Sequence, residues 1–179
     1  MCSRVACGVF EGVAMESMSR RIAIVALLLV ALATAMFIFA HGMQGSATSW
    51  GESDVIAALF EPVLQRLYGL VGSIVNWTGH DWGLTYGVFV RKCAHVVEYS
   101  LFGAECAALT VAIVGKVVSP YLWVDLFVPL GVAVADEFIQ SFVGRTSLVS
   151  DVVLDFCAAL TGIAIVLVVA SIVVRKVRK

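Results

Sequence analysis

The chain has 179 residues, of which 61% are hydrophobic and only 14% are charged, and its mean hydropathy is +0.99. These values exclude an ordinary soluble domain and indicate an integral membrane protein. Its 12 basic and 13 acidic residues give a net charge of −1, so no general positive field exists to attract nucleic acid. We expect an all-α membrane protein with four transmembrane helices and an interfacial amphipathic helix between the first and the second, and no nucleic-acid partner.

The first predicted transmembrane helix covers about residues 22–40. The stretch from Ile22 to Ala40 carries no charge, and its length suits a hydrocarbon core of roughly 30 Å at about 1.5 Å per helical residue. Residues 1–21 are mixed in character and end in Arg20 and Arg21. We expect them to form a cytoplasmic N-terminal segment.

An amphipathic helix is predicted over about residues 52–75. Ser49 and Glu52 stand in capping-box spacing before it, and apolar residues then recur every three or four positions as far as Ile74. This pattern favours a helix that lies in the membrane interface. Pro62 removes a backbone donor inside the pattern, so we expect a kink or two shorter helices.

Three further transmembrane helices are predicted over about residues 93–118, 121–142 and 152–174. The two connections between them are short, which indicates antiparallel neighbours. In the last helix, Ala158 and Gly162 form a small-xxx-small pair at which another helix can approach closely. Residues 22–174 would then form a single transmembrane domain, followed by a basic cytoplasmic tail at residues 175–179.

The basic residues predict the orientation. With four crossings and a cytoplasmic N-terminus, eight of the 12 basic residues fall on the inner side, and the reversed arrangement would place the C-terminal basic cluster outside. We therefore expect both termini in the cytoplasm. The polar residues near the second, third and fourth spans then meet near the outer leaflet.

The candidate site is a set of polar side chains in three of these helices. Helical spacing places Arg91, His95, Glu98, Phe102 and Glu105 on one face of the second span, with Glu105 deepest in the membrane. In the third and fourth spans the same spacing groups a second set, which comprises Asp136, Glu137, Gln140, Asp151 and Asp155. Ionisable residues at such positions indicate a functional site.

Each of these residues has a structural and a chemical interpretation. His95 with Glu98 is either a structural hydrogen bond or a general base oriented by a carboxylate. Arg145 is either a loop anchor or a phosphate clamp, and Asp155 is a partner for Arg145 or for His95. Asp151 complements the start of a helix.

The two basic residues at the start of the second span have different expected roles, and no metal is expected. Lys92 is expected to reach the lipid headgroups, whereas Arg91 faces the cluster. No standard metal-ligand spacing is present, and the nearby arginines disfavour a cation, so we expect no metal and no cofactor.

Two sequence motifs resemble the VanZ-like family, first known from teicoplanin resistance. The first motif is Arg91-Lys92 with His95, Glu98, Tyr99 and Gly103. The second is Asp136-Glu137 with Gln140, Phe142, Gly144-Arg145, Asp151, Asp155 and Gly162. The chain departs from the family pattern at Val143, where Pro is frequent, at Ala158 or Ala159, where Gly is common, and at Asp155, where Asn is common.

The resemblance implies a small multi-pass protein of the bacterial plasma membrane that contributes to glycopeptide resistance of the teicoplanin type. Its expected partners are membrane lipids or a lipid-linked substrate, such as a lipid-linked glycan, at the outer leaflet. In an enzyme, an acid-base hydrolase or transferase, the catalytic residues would be His95, Glu98, Asp136, Glu137 and Asp155. The substrate-binding residues would be Arg91, Tyr99, Gln140, Arg145 and Asp151. The alternative is a non-catalytic protein whose polar network is structural and which binds a lipid or the antibiotic.

Overall fold

A computed structural model describes residues 4–44, 46–77, 83–117, 119–144 and 148–177. Over these residues the chain forms five helices joined by short connections. They are α1 (Arg4–Gly42), α2 (Ser46–Trp77), α3 (Tyr86–Val114), α4 (Leu122–Phe142) and α5 (Val149–Val177). The expected all-α fold is therefore confirmed for the described residues.

Three of these helices are long and apolar enough to cross a membrane. They are the part of α1 from Met18 to Gly42, the whole of α3, and α5 as far as Lys176. Large apolar side chains such as Leu29 on α1 and Val168 on α5 point outward and are exposed. An exposed apolar surface of this extent is typical of helices that face lipid.

The helix pair α3 and α5 forms the most extensive contact of the bundle. A Cβ atom on Gly162 would lie only 1.9 Å from the carbonyl oxygen of Ser100, and one on Gly103 would lie 2.2 Å from that of Ala159. Only glycine permits so close a backbone approach. The hydroxyl of Ser100 donates to the carbonyl of Ala158 at 3.1 Å, so the small-residue pair predicted in the last helix lies at this crossing.

Helix α1 begins well before the predicted residue 22, at Arg4. Near the start of its membrane-length segment, Arg20 donates from Nε to the carbonyl of Ala112 at 3.0 Å and from Nη2 to that of Ile113 at 2.9 Å. These carbonyls belong to the last turn of α3, where helix ends leave acceptors unsatisfied and favour a cation. Arg20 thus fixes the start of this segment to the end of α3.

Helix α4 runs antiparallel to α3 and buries its polar side chains. The hydroxyl of Thr110 near the end of α3 donates to Asp125 at the start of α4, at 2.6 Å, whereas Tyr99 lies against Asp136 near the end of α4. The outward side of α4 carries Phe127, Val134 and other exposed apolar residues. Its carboxylates therefore face protein.

Helix α2 begins at Ser46, earlier than the predicted residue 52, and carries the expected kink. The backbone of Phe60 is non-helical, with φ −119° and ψ 16°, two residues before Pro62. Leu64 and Tyr68 pack on the start of α3 against Phe89. Several apolar residues of the predicted pattern are exposed, namely Leu59, Val63, Leu67 and Leu70, whereas Val71 packs against the same cluster.

The start of α3 also differs from the prediction. The helix begins at Tyr86, whereas the sequence predicted its apolar core from residue 93. Thr85 is the N-cap, and its side chain accepts a hydrogen bond from the backbone N–H of Val88. Arg91 and Lys92 therefore lie in the second turn of the helix, where they can reach the bundle.

Candidate functional site

The site lies at the end of the bundle where α1 and α4 finish and where α3 and α5 begin. His41 is at the end of α1, His95 lies near the start of α3, Asp136 lies near the end of α4, and Asp155 is in the second turn of α5. Because α1 and α4 end where α3 and α5 begin, all four polar groups lie at the same end of the bundle. Most of the polar side chains predicted on three spans are brought together here, with Glu105 as an exception, and a residue of α1 joins them.

Asp136 is the most completely enclosed carboxylate of the site, with 0% of its surface exposed. Its Oδ2 atom accepts from Nε2 of Gln140 at 2.9 Å and from the hydroxyl of Tyr99 at 3.4 Å. Its Oδ1 atom lies against Gly42, where a Cβ atom would be only 2.0 Å away. Gly42 therefore leaves the space that this carboxylate fills, and the sequence analysis did not identify it.

His95 lies between two aspartates. Its Nδ1 atom is 3.5 Å from Oδ1 of Asp155, and its ring is stacked on that of Tyr99, with centroids 6.3 Å apart and an angle of 9°. Polar atoms of His95, Asp136 and Asp155 all lie within 4.8 Å of one another. An imidazole held against a buried carboxylate can accept and release a proton.

Glu98 is bonded to a different histidine from the one expected. Its Oε1 atom is 3.1 Å from Nδ1 of His41 on α1, whereas the sequence analysis paired Glu98 with His95. The reason is geometric, because α1 ends beside this part of α3 and presents His41 to it. His41 was missed, although a histidine directly after an uncharged span is a detectable signal.

Two basic residues stand at the mouth of a small cleft. Lys92 contacts Oδ1 of Asp151 through Nζ and remains one third exposed, so its role at the lipid headgroups stays a prediction. Asp151 lies in the first turn of α5, as expected of a charge that complements a helix start. The cleft has a cavity volume of only about 10 Å³, room for about one water molecule. Its lining comprises Arg91, Lys92, His95, Glu137, Gln140, Asp151, Leu154 and Asp155.

Glu137 connects α4 to the start of α5. Its Oε2 atom accepts from the backbone N–H of Leu148 at 3.2 Å, just before α5 begins. A carboxylate at this position also benefits from the helix macrodipole. Arg145, predicted as a loop anchor or a phosphate clamp, lies outside the described residues.

Two other carboxylates lie away from the cleft, one partly buried and one fully buried. Glu105, which the sequence analysis singled out as the deepest, accepts through Oε1 from the hydroxyl of Thr34 on α1 at 3.0 Å. Asp125 is only 1% exposed and is bonded to Thr110 at the other end of the bundle. The sequence analysis did not identify Asp125, whose signal was a lone acid in the first turn of an apolar helix.

Comparison with known proteins identifies one family. Residues 24–170 match the sequence profile described as VanZ/LLP1. This range contains every site residue described above, including His41 and Gly42. No curated protein and no solved structure matches the chain significantly.

Proposed function

The chain belongs to the VanZ/LLP1 family, and on that premise we propose that it acts at the outer leaflet of the bacterial plasma membrane on an envelope lipid or a lipid-linked glycan. By this action it contributes to glycopeptide resistance of the teicoplanin type. The supporting observation is the polar cleft with its basic mouth, because it gathers acid-base and anion-binding groups at one end of an apolar bundle.

The proposal includes a fourth membrane crossing by α4, with both termini in the cytoplasm. The 21 residues of α4 extend over about 30 Å at 1.5 Å per residue. Because Asp125, Asp136, Glu137 and Gln140 are all buried, the charges of the folded helix face protein and not lipid. The cleft then opens outward.

In the enzyme form of the proposal, His95 exchanges a proton with the substrate while Asp155 holds the imidazole in position. Arg91 and Arg145 bind a phosphate or pyrophosphate group, for which the guanidinium fork is well shaped. The most deeply buried part of the site consists of Asp136, Tyr99 and Gln140. The chemistry is then hydrolysis or group transfer on a polar headgroup that reaches in from the leaflet.

A second candidate function follows from the contacts between helices. Three polar contacts join different parts of the bundle. They are His41 with Glu98, Lys92 with Asp151, and Glu137 with the backbone of Leu148 just before α5. Such a network holds the bundle together without any reaction. In this form the protein is not catalytic and protects the cell by binding a lipid or the antibiotic.

The two forms differ in the effect of His95→Gln on resistance. We expect this variant and Asp155→Asn to be produced at the normal level and to lose resistance, because both remove a proton-transfer group. Asp125→Asn is the matched control, since it makes the same change in a buried carboxylate at the other end of the bundle, and it should keep resistance. Teicoplanin susceptibility and lipid and cell-wall composition are measured in parallel. Full resistance in a well-produced His95→Gln strain would exclude the enzyme form.

A further inference from the structure

Among the described residues, three oxygen atoms of the site are buried and lack a hydrogen-bond partner. They are Oδ1 of Asp136 and both carboxylate oxygens of Asp155. Asp155 is 1% exposed although it lines the cleft, and its Oδ1 atom faces Nδ1 of His95 at 3.5 Å. Two buried carboxylates with unsatisfied oxygens are expensive in an apolar bundle, unless a proton or a cation compensates them.

His95 supplies a nitrogen donor beside these oxygens. We propose that His95, Asp136 and Asp155 bind a divalent transition-metal ion. Their polar atoms lie within 4.8 Å of one another. Two ligands about 2.1 Å from one ion are at most about 4.2 Å apart, so a small side-chain rotation completes the site.

The surroundings of Asp136 resemble the support that metal ligands require. Gln140 and Tyr99 both donate to its Oδ2 atom, which fixes the orientation of the carboxylate and leaves Oδ1 without a donor. Hydrogen bonds of this kind orient the residues that ligate metals. The absence of a side chain on Gly42 keeps space for the second oxygen.

The charges around the three ligands are compatible with a cation. The neighbouring basic side chains, Arg91 and Lys92, line the mouth of the cleft, whereas the interior carries carboxylates. Lys92 is neutralised by Asp151, and Glu98 is bonded to His41. Arg91 lines the mouth of the cleft, and Glu137 lies at the start of α5. The nearby arginines of the sequence disfavoured a metal, but the interior of the folded site holds two carboxylates and one imidazole.

The donor set selects the class of ion. An imidazole with two carboxylates suits Zn²⁺ or Mn²⁺, whereas Ca²⁺ and Mg²⁺ prefer oxygen ligands alone. Three protein ligands also leave a position open for water or for an anionic group. This site does not depend on the proposed action on a lipid, and each can be tested without the other.

Metal content of the purified chain tests the proposal. The full chain, carrying a tag without histidines, is purified in detergent micelles, stripped with a chelator and titrated separately with ZnCl₂ and MnCl₂. After gel filtration, the metal per chain is measured by mass spectrometry. We expect about one ion of one of the two metals per chain. Asp155→Asn should weaken binding at least tenfold, and Gln140→Ala should weaken it about 10–100-fold through the orientation of Asp136.

The control is Asp125→Asn, which should bind the ion as the unaltered chain does. The proposal is overturned if the unaltered chain, eluting as a single folded species, retains neither metal above the micelle blank. Unchanged binding by Asp155→Asn, or an equal loss in Asp125→Asn, would also overturn it. If the chain confers resistance but binds no metal, only the metal-site proposal is refuted. If it binds metal but confers no resistance, only the proposed function is refuted.

Discussion

Nδ1 of His41 lies 3.1 Å from Oε1 of Glu98, and this contact attaches the end of α1 to the helix that carries His95. Both side chains are largely buried, with 15% and 14% of their surfaces exposed. A contact between two such groups is stronger than a surface ion pair, because less water competes for it. It also holds Glu98 one turn from His95 on the same face of α3.

Removal of either partner should therefore destabilise the bundle. We expect His41→Ala or Glu98→Ala to lower the free energy of unfolding by about 1–3 kcal/mol, since each removes a contact between two mostly buried polar groups. The double variant should lose less than the sum of the two. Unfolding in detergent micelles measures all three, and strictly additive losses would show that the two side chains do not interact.

The close crossing of α3 and α5 predicts a strong effect at Gly162. Gly162→Ala should destabilise the protein by about 1–3 kcal/mol, because its Cβ would overlap the carbonyl of Ser100 and push the helices apart. Gly131→Ala on α4 is the control, since nothing lies within 4 Å of its Cβ position. There, alanine should be neutral or slightly stabilising in a helix. Equal stabilities of the two variants would contradict the packing described here.

The space beside Gly42 predicts a coupled effect on Asp136. Gly42→Ala should displace the Asp136 carboxylate and weaken its hydrogen bond to Gln140. Asp136→Ser removes the overlapping oxygen, so the double variant should be more stable than the sum of the single effects by at least about 0.5 kcal/mol. Gly72→Ala on α2, which has nothing within 4 Å of its Cβ, should show no coupling to Asp136→Ser. Thermal unfolding of the six forms measures the coupling.

The fourth crossing predicts different labelling at the two ends of α4. In a background without cysteines, Ser150→Cys at the start of α5 should react in intact cells with a thiol reagent that cannot cross the membrane. Tyr121→Cys at the start of α4 should react only after the cells are opened. Both native side chains are exposed, so access within the protein is not limiting. Labelling of both positions from outside would rule out the crossing, and the reverse pattern would overturn the orientation.

Much of the fold follows from the sequence because helix length and hydrophobicity are local properties. The first span, the kink before Pro62 and the small-residue crossing at Gly162 each depend on residues that lie close together in the chain. Helix α4 was predicted from the same patterns, yet it is not among the three candidate spans. Its hydrophobicity is high, but every 18-residue stretch of it contains the three acids Asp125, Asp136 and Glu137, which the fold turns inward.

The pairings within the site were less predictable, because they depend on which helices become neighbours. Helical spacing placed His95 and Glu98 on one face, but it could not show that α1 would end beside Glu98 and supply His41. The same limit applies to Lys92, whose position inside α3 followed from an unrecognised N-cap at Thr85. Spacing within one helix predicts which residues share a face. To predict their partners on another helix, one must know how the helices pack.

The inward polar face of α4 has a consequence for how the protein is made. A segment that contains Asp125, Asp136 and Glu137 enters lipid poorly by itself, since an Asp at the centre of a membrane helix costs about 2.5–3.5 kcal/mol. On the crossing proposed above, α4 becomes acceptable to the bilayer only when α3 and α5 cover these groups. Its insertion is then inseparable from assembly, and the polar site is completed at the same step that places the last hairpin in the membrane.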